Sequence, residues 1–108
     1  MNFETLIQKF YPNAHIMMME LCPYYDSAQS FYGKAKVFEI ENDVFLMSYD
    51  TIVACYNRGA KIAQVFDTHS ATTLRHIKEF LKQSGFKAES KKQIEKDYCI
   101  ENLGEKYV

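Results

Sequence analysis

Tryptophan is absent from the 108-residue chain, proline occurs twice, cysteine three times and glycine four times. The scarcity of glycine removes one large class of activity. No glycine-rich stretch lets backbone amides close on a phosphate, as P-loops and dinucleotide-binding turns require. There is no Gly/Ser linker, low-complexity tract or internal repeat either, so residues 1–108 read as a single domain with one modest core. Cys22, Cys55 and Cys99 are odd in number and widely spaced, which fits neither a zinc spacing nor a redox CxxC pair. A reducing, cytoplasmic setting is the simplest expectation. Long apolar runs are missing too: the sulfur-rich run at 16–19 falls far short of the roughly 20 residues that cross a bilayer. MNFETLIQKFYP carries Glu4 where a signal peptide would be basic, and no apolar core follows it. A soluble, unprocessed chain without membrane contact is expected.

Hydrophobic residues make up 47% of the chain and charged residues 25%, a balance that folds rather than staying disordered. Eight Phe and eight Tyr stand in for the missing indole. Tyrosine therefore supplies interior and surface alike, and it suits binding faces because it joins apolar area to a hydroxyl. The net charge of −1 is unevenly divided, with 3 basic and 7 acidic side chains in 1–57 against 10 and 7 in 58–108. Within 75–96, Arg75, Lys78, Lys82, Lys87, Lys91, Lys92 and Lys96 outnumber Glu79, Glu89 and Glu95.

Phe3, Leu6, Ile7 and Phe10 have the i, i+3, i+4, i+7 spacing of one helical face, with Asn2 as cap and Pro12 as stop. Residues 14–21, AHIMMMEL, read as a helix started by Asn13, with a short strand before Pro23 as the alternative. CPYYDSAQSFYG, bounded by Pro23 and Gly33, is a ring-rich loop. AKVFEI, VFLMSY, TIVACY and KIAQVF then read as strands. Polar turns at 41–43 and 57–59 separate them, with a bend or bulge at 48–50 and Gly59 available for positive φ. Thr68 or Ser70 caps the next helix, in which Leu74, Ile77, Phe80 and Leu81 share a face and Gly85 is the stop. Arg75 and Glu79 are spaced to pair on its exposed side. Ser90 caps a last short helix. The fold class is α+β: an antiparallel meander of three to four strands, an N-terminal helix, and a C-terminal amphipathic helix packed on one face.

The stretch DTHSATTLRHIKEFL concentrates histidine, arginine and hydroxyls at a helix start, where free amides attract anions. Ordinary capping accounts for the same residues. His69 and His76, seven apart, would lie about 10 Å apart along a helix, so no metal site is expected and no cofactor is called for. Cys55 reads as a core thiol and Cys22 as the more reactive one, while no carboxylate pair stands out. The chain is accordingly expected not to be an enzyme. Tyr24, Tyr25, Phe31 and Tyr32 either cover the sheet or meet a partner; exposed rings beside Asp26 suit a protein interface. Arg75, His76 and Lys78 are candidates for the same role from the outer side of the helix. A nucleic-acid alternative uses Lys78, Lys82, Lys91 and Lys92, since helix–strands–helix order resembles modules that bind double-stranded RNA. Against it stand the mildly acidic chain and the lack of a KKxAK-type cluster. A strand edge at 35–41 is a candidate for pairing with a second copy.

SFYGKAKV at 30–37, SYDTIVA at 48–54 and SATTLRHIKEFLKQSGF at 70–86 together resemble a family of small uncharacterised proteins of low-GC Gram-positive bacteria, their phages and mobile elements. The resemblance covers about half of the chain. It implies a cytoplasmic role in a phage or mobile-element setting and brings no catalytic residue with it. The expected function is that of a small non-enzymatic protein that engages a host or phage protein, for instance as an inhibitor of host defence.

Overall fold

The computed structural model describes residues 3–13, 16–66 and 70–99. The expectations for Asn2, Thr68 and His69, and for the side chains of Phe3 and Phe10, lie outside the described part. Helix α1 spans Phe3–Phe10 and buries Leu6. Its last turn is extended by a bond from Tyr11 N to Ile7 O at 2.9 Å.

Residues 18–20 form strand β1, Met18–Glu20, and not the helix expected for 14–21. The reason lies in Met18 and Leu21. Three residues apart, they would share one face of a helix, yet they reach apolar clusters on opposite sides of the sheet, which an extended chain allows and a helix does not. Pairing and two-sided burial outweigh the helix propensity of Met, Glu and Leu.

The other strands are β2, Ala35–Ile40; β3, Asp43–Ser48; β4, Thr51–Asn57; and β5, Ile62–Val65. All neighbours are antiparallel and the order is β1-β2-β3-β4-β5. The meander thus has one strand more than the sequence suggested, and β1 occupies the edge at 35–41 that had been left for a second copy. Around Tyr49, at φ 57°, the chain reverses completely between β3 and β4. The irregularity expected nearby is a separate feature: Leu46 pairs with Ala54 and Met47 with Ile52, so Val53 is the extra residue of a bulge. In the β4–β5 turn Lys61, at φ 55°, takes the left-handed conformation expected of Gly59. Asn57 organises that turn, its side-chain oxygen accepting from Ala60 N at 2.8 Å and its carbonyl from Lys61 N at 2.8 Å.

Strand alternation sends Phe38, Ile40, Phe45, Met47, Ile52 and Cys55 to the α1 side. Ala35, Val44, Leu46, Val53, Ala54, Ala63 and Val65 face the other way. There they meet α2, Ala71–Gln83, through Ile77, Phe80 and Leu81, and α3, Lys91–Tyr98, through Ile94. One helix therefore covers one face and two cover the other. Each fully buried aliphatic side chain contributes roughly 1.5–3 kcal/mol, so Leu46→Ala, at a site with no exposure, would cost about 3 kcal/mol or more.

Ser70 caps α2 by accepting from Thr73 N at 3.0 Å. The helix ends at Gly85, φ 86°, with Phe86 N bonded to Leu81 O and Gly85 N to Lys82 O, the paired bonds of a Schellman stop. Ser90 caps α3 by accepting from Gln93 N. A parallel bridge between Val65 and Cys99 then lies against the outer side of β5.

Candidate functional site

Along α2, Arg75, Glu79 and Gln83 follow one another at four-residue spacing and therefore line one side of the helix. All three hold the loop between β1 and β2. Gln83 Nε2 donates to Cys22 O at 2.8 Å. Glu79 Oε1 accepts from the backbone amides of Tyr25 and Asp26, both at 2.8 Å, and its Oε2 from Gln83 Nε2 at 2.7 Å. Arg75 Nε donates to Asp26 Oδ2 at 3.0 Å, with a second bond from the guanidinium to Oδ1. Asp26 Oδ1 also accepts from Ala28 N at 2.9 Å. The Arg75 bonds, helped by the amide of Ala28, lower the Asp26 pKa to about 2. Glu79 is buried, so the Arg75–Glu79 pair expected on the helix exterior does not form. Each partner bonds instead to a loop more than 45 residues away in sequence.

The clasp fixes the backbone and leaves the rings outside. Tyr24, Tyr25 and Tyr32 are 81%, 56% and 79% exposed, whereas Phe31 is buried. Phe31 sits edge-on to His76 with ring centres 4.6 Å apart, and this contact pins the far end of the loop. Tyr32, at φ 54°, and Gly33, at φ 75°, then turn the chain into β2. Glu20 of β1 supports the turn by accepting from Gly33 N at 2.6 Å.

His76 does not stand on the outer side of the helix as expected; it is 1% exposed. Its Nδ1 lies 2.8 Å from Ser48 Oγ, which is 3.1 Å from Thr73 Oγ1. Burial lowers the His76 pKa below its ordinary value, and the nearby Arg75 and Lys34 charges add to this against an opposing pull from Asp26. A serine beside a histidine suggests an activated nucleophile. Ser48, however, is itself 2% exposed, so the trio satisfies buried polar groups and offers no hydroxyl to a substrate in this conformation.

The remaining candidates separate by location. Arg75 reaches the aromatic loop through Asp26. Lys78 is half-buried, while Lys82, Lys91 and Lys92 are exposed on the helical layer. Cys22 is exposed and Cys55 buried. Among the described residues, no three His, Cys, Asp or Glu side chains group as metal ligands, and no helix is long and apolar enough to cross a membrane. Sequence reasoning missed Glu79 and Gln83. Their four-residue spacing was visible, but the amides they serve belong to a distant segment.

Residues 19–96 match the model of the DUF8033 family, a family of unknown function, and the chain belongs to that family. No curated protein and no solved structure matches it. The matched span is wider than the three blocks at 30–86 and includes Tyr24, Tyr25, the Glu79 clasp and most of α3. The aromatic loop is therefore part of the family domain and not an appendage to it.

Proposed function

We propose that this member of the DUF8033 family is a non-enzymatic protein-binding module whose docking surface is the clasped loop bearing Tyr24, Tyr25 and Tyr32. One observation carries the reading: three tyrosines point outward from a loop held at Tyr25 and Asp26 by a buried carboxylate and at its far end by the buried ring of Phe31. Ordering such a loop normally consumes part of the binding free energy, and a loop fixed beforehand avoids that loss. Together the three exposed rings present about 400 Å², half of the roughly 800 Å² that each partner contributes to a standard interface. The resemblance to phage and mobile-element proteins supports a host or phage protein as target, with components of host defence as the first class to screen.

The test is capture from host lysate on immobilised protein, with nuclease and across a salt series, comparing wild type with Tyr24→Ala/Tyr25→Ala. A discrete protein retained by the wild type and lost from the folded double variant is the expected result. Equal capture by both would remove the loop from the interface.

A second reading, binding to nucleic acid, is favoured by Lys78, Lys82, Lys91 and Lys92 projecting from helices on the same side of the sheet. Four phosphate contacts to duplex would give a slope of about −3.6 in log affinity against log salt. Binding insensitive to salt would refute it.

A further inference from the structure

The two edges of the sheet differ. Beyond β5 lies the Val65–Cys99 bridge, whereas among the described residues no strand pairs with the outer side of β1. Leu21 N donates to Ala35 O at 2.9 Å, so residues 21 and 35 are a hydrogen-bonded pair. By the alternation of antiparallel ladders, Met19 also turns its amide groups toward β2, while Met18 and Glu20 turn theirs to the open edge. Side chains reinforce the point: Met17 is 84% and Met19 59% exposed. They lie beside Val37 at a hollow of about 360 Å³ that also includes Phe38 and Glu39. This hollow is on the α2 side of the sheet, beyond the strands β3 and β4 that α2 contacts.

We infer that the chain forms a two-fold symmetric dimer in which β1 pairs antiparallel with β1 of a second copy, continuing the sheet across the axis. Charge and strand length select the register. Centring on Glu20 would set like charges directly opposite each other, which is unfavourable. Centring on Met18 would force Glu20 to pair with residue 16, outside the strand. Centring on Met19 places Met18 opposite Glu20 of the second copy and Glu20 opposite Met18, so both outward-facing residues of each strand exchange their bonds. The Glu20 carboxylate does not obstruct this arrangement, because it is held within its own subunit by Gly33 N. The Met19 side chains of the two copies then meet at the axis with Cα atoms about 4.5 Å apart, the spacing of a non-hydrogen-bonded pair. Their apolar contact continues the Met17–Met19–Val37 surface from one copy into the next. The dimer is independent of the tyrosine-loop reading.

Sedimentation of the full chain from micromolar to near-millimolar concentration should show mass rising toward twice 12.6 kDa. Met19→Lys, which opposes two cations at the axis, should keep it monomeric throughout, with circular dichroism confirming the fold. A second measurement reads the register in a Cys22→Ser background, which removes the exposed native thiol. Met19→Cys should cross-link to dimer on mild oxidation, because its Cα separation lies within disulfide range. Met17→Cys, offset by four residues from its own copy and so about 13 Å away, should not. A wild type monomeric at every concentration would overturn the dimer, as would a dimer that survives Met19→Lys. Cross-linking through Met17→Cys in preference to Met19→Cys would overturn the register.

Discussion

Glu79→Ala is the most informative single perturbation, because one buried carboxylate receives three donors from two segments of the chain. Gln83 is exposed and can turn its amide to water, so its bond contributes little to the balance. The amides of Tyr25 and Asp26 have no such freedom while the loop stays in place. Bonds to a charged acceptor contribute about 1.5–3 kcal/mol each, and taking the lower value for these partly exposed amides gives about 3 kcal/mol for the pair. For a domain of this size that corresponds to a Tm lower by roughly 12–24 °C. Glu79→Gln keeps an oxygen for the two backbone amides but turns an NH2 toward Gln83, and should cost about 1 kcal/mol. Two assays separate the effects: thermal unfolding measures the total, and amide exchange at Tyr25 and Asp26 reports the loop. Protection at these two amides should collapse in Glu79→Ala and survive largely in Glu79→Gln. If Glu79→Ala melts within about 2 °C of wild type and both amides stay protected, the carboxylate does not hold the loop and the argument for a preorganised surface fails.

His76 predicts a pH effect of definite sign. Its folded pKa lies below the ordinary 6.5, so below that pH the unfolded chain takes up a proton that the folded chain resists. The contribution to stability is complete above pH 6.5 and declines as pH falls. Urea midpoints should therefore drop between pH 7 and 5, and His76→Gln should flatten that slope; an unchanged slope would mean that another group titrates. Asp26, at about 2 against an ordinary 3.8, contributes stability above pH 4 that is lost as pH approaches 2. Because the Arg75 side chain is 49% exposed, Arg75→Ala should cost only about 1 kcal/mol or less, and it should reduce the acid-range difference measured in urea, leaving the part due to the Ala28 amide. Ser70→Ala deletes the α2 cap and should lower stability by about 1 kcal/mol in chemical denaturation; no change would show that backbone bonding alone starts the helix.

The parts of this fold that were legible in the sequence are those specified locally. AKVFEI and TIVACY alternate or cluster as strands do, and Ser70, Ser90 and Gly85 carry capping and stop chemistry that acts within a few residues. Residues 14–21 misled because helix propensity and strand pairing compete there, and the deciding partner, β2, begins only at Ala35. Arg75 and Glu79 misled for the same physical reason. An i, i+4 pair is the default only when nothing else approaches, and here Asp26 and the amides of the aromatic loop do. His76 shows that a polar residue on a helix does not mark the outside when Ser48 and Thr73 can satisfy it inside. The exposure of Tyr24, Tyr25 and Tyr32 was one of two readings of the ring-rich loop, and what decides between them, the bonds from the loop to Glu79 and the burial of Phe31, depends on distant segments.

The clasp also has a consequence for the order in which the molecule assembles. Every strand of the meander pairs with its sequence neighbour, so most of the sheet closes through short loops, a topology that favours rapid folding. The contacts between α2 and the aromatic loop span 53 to 61 residues for Glu79 and Gln83, and they require both the sheet and the helix to be in place. They should form late, after the main barrier, so substitutions at Glu79 are expected to accelerate unfolding far more than they slow folding. The ordered tyrosine loop would then exist only on chains that have completed the fold, and a partially folded copy newly released from the ribosome would carry the same three rings on an unfixed backbone.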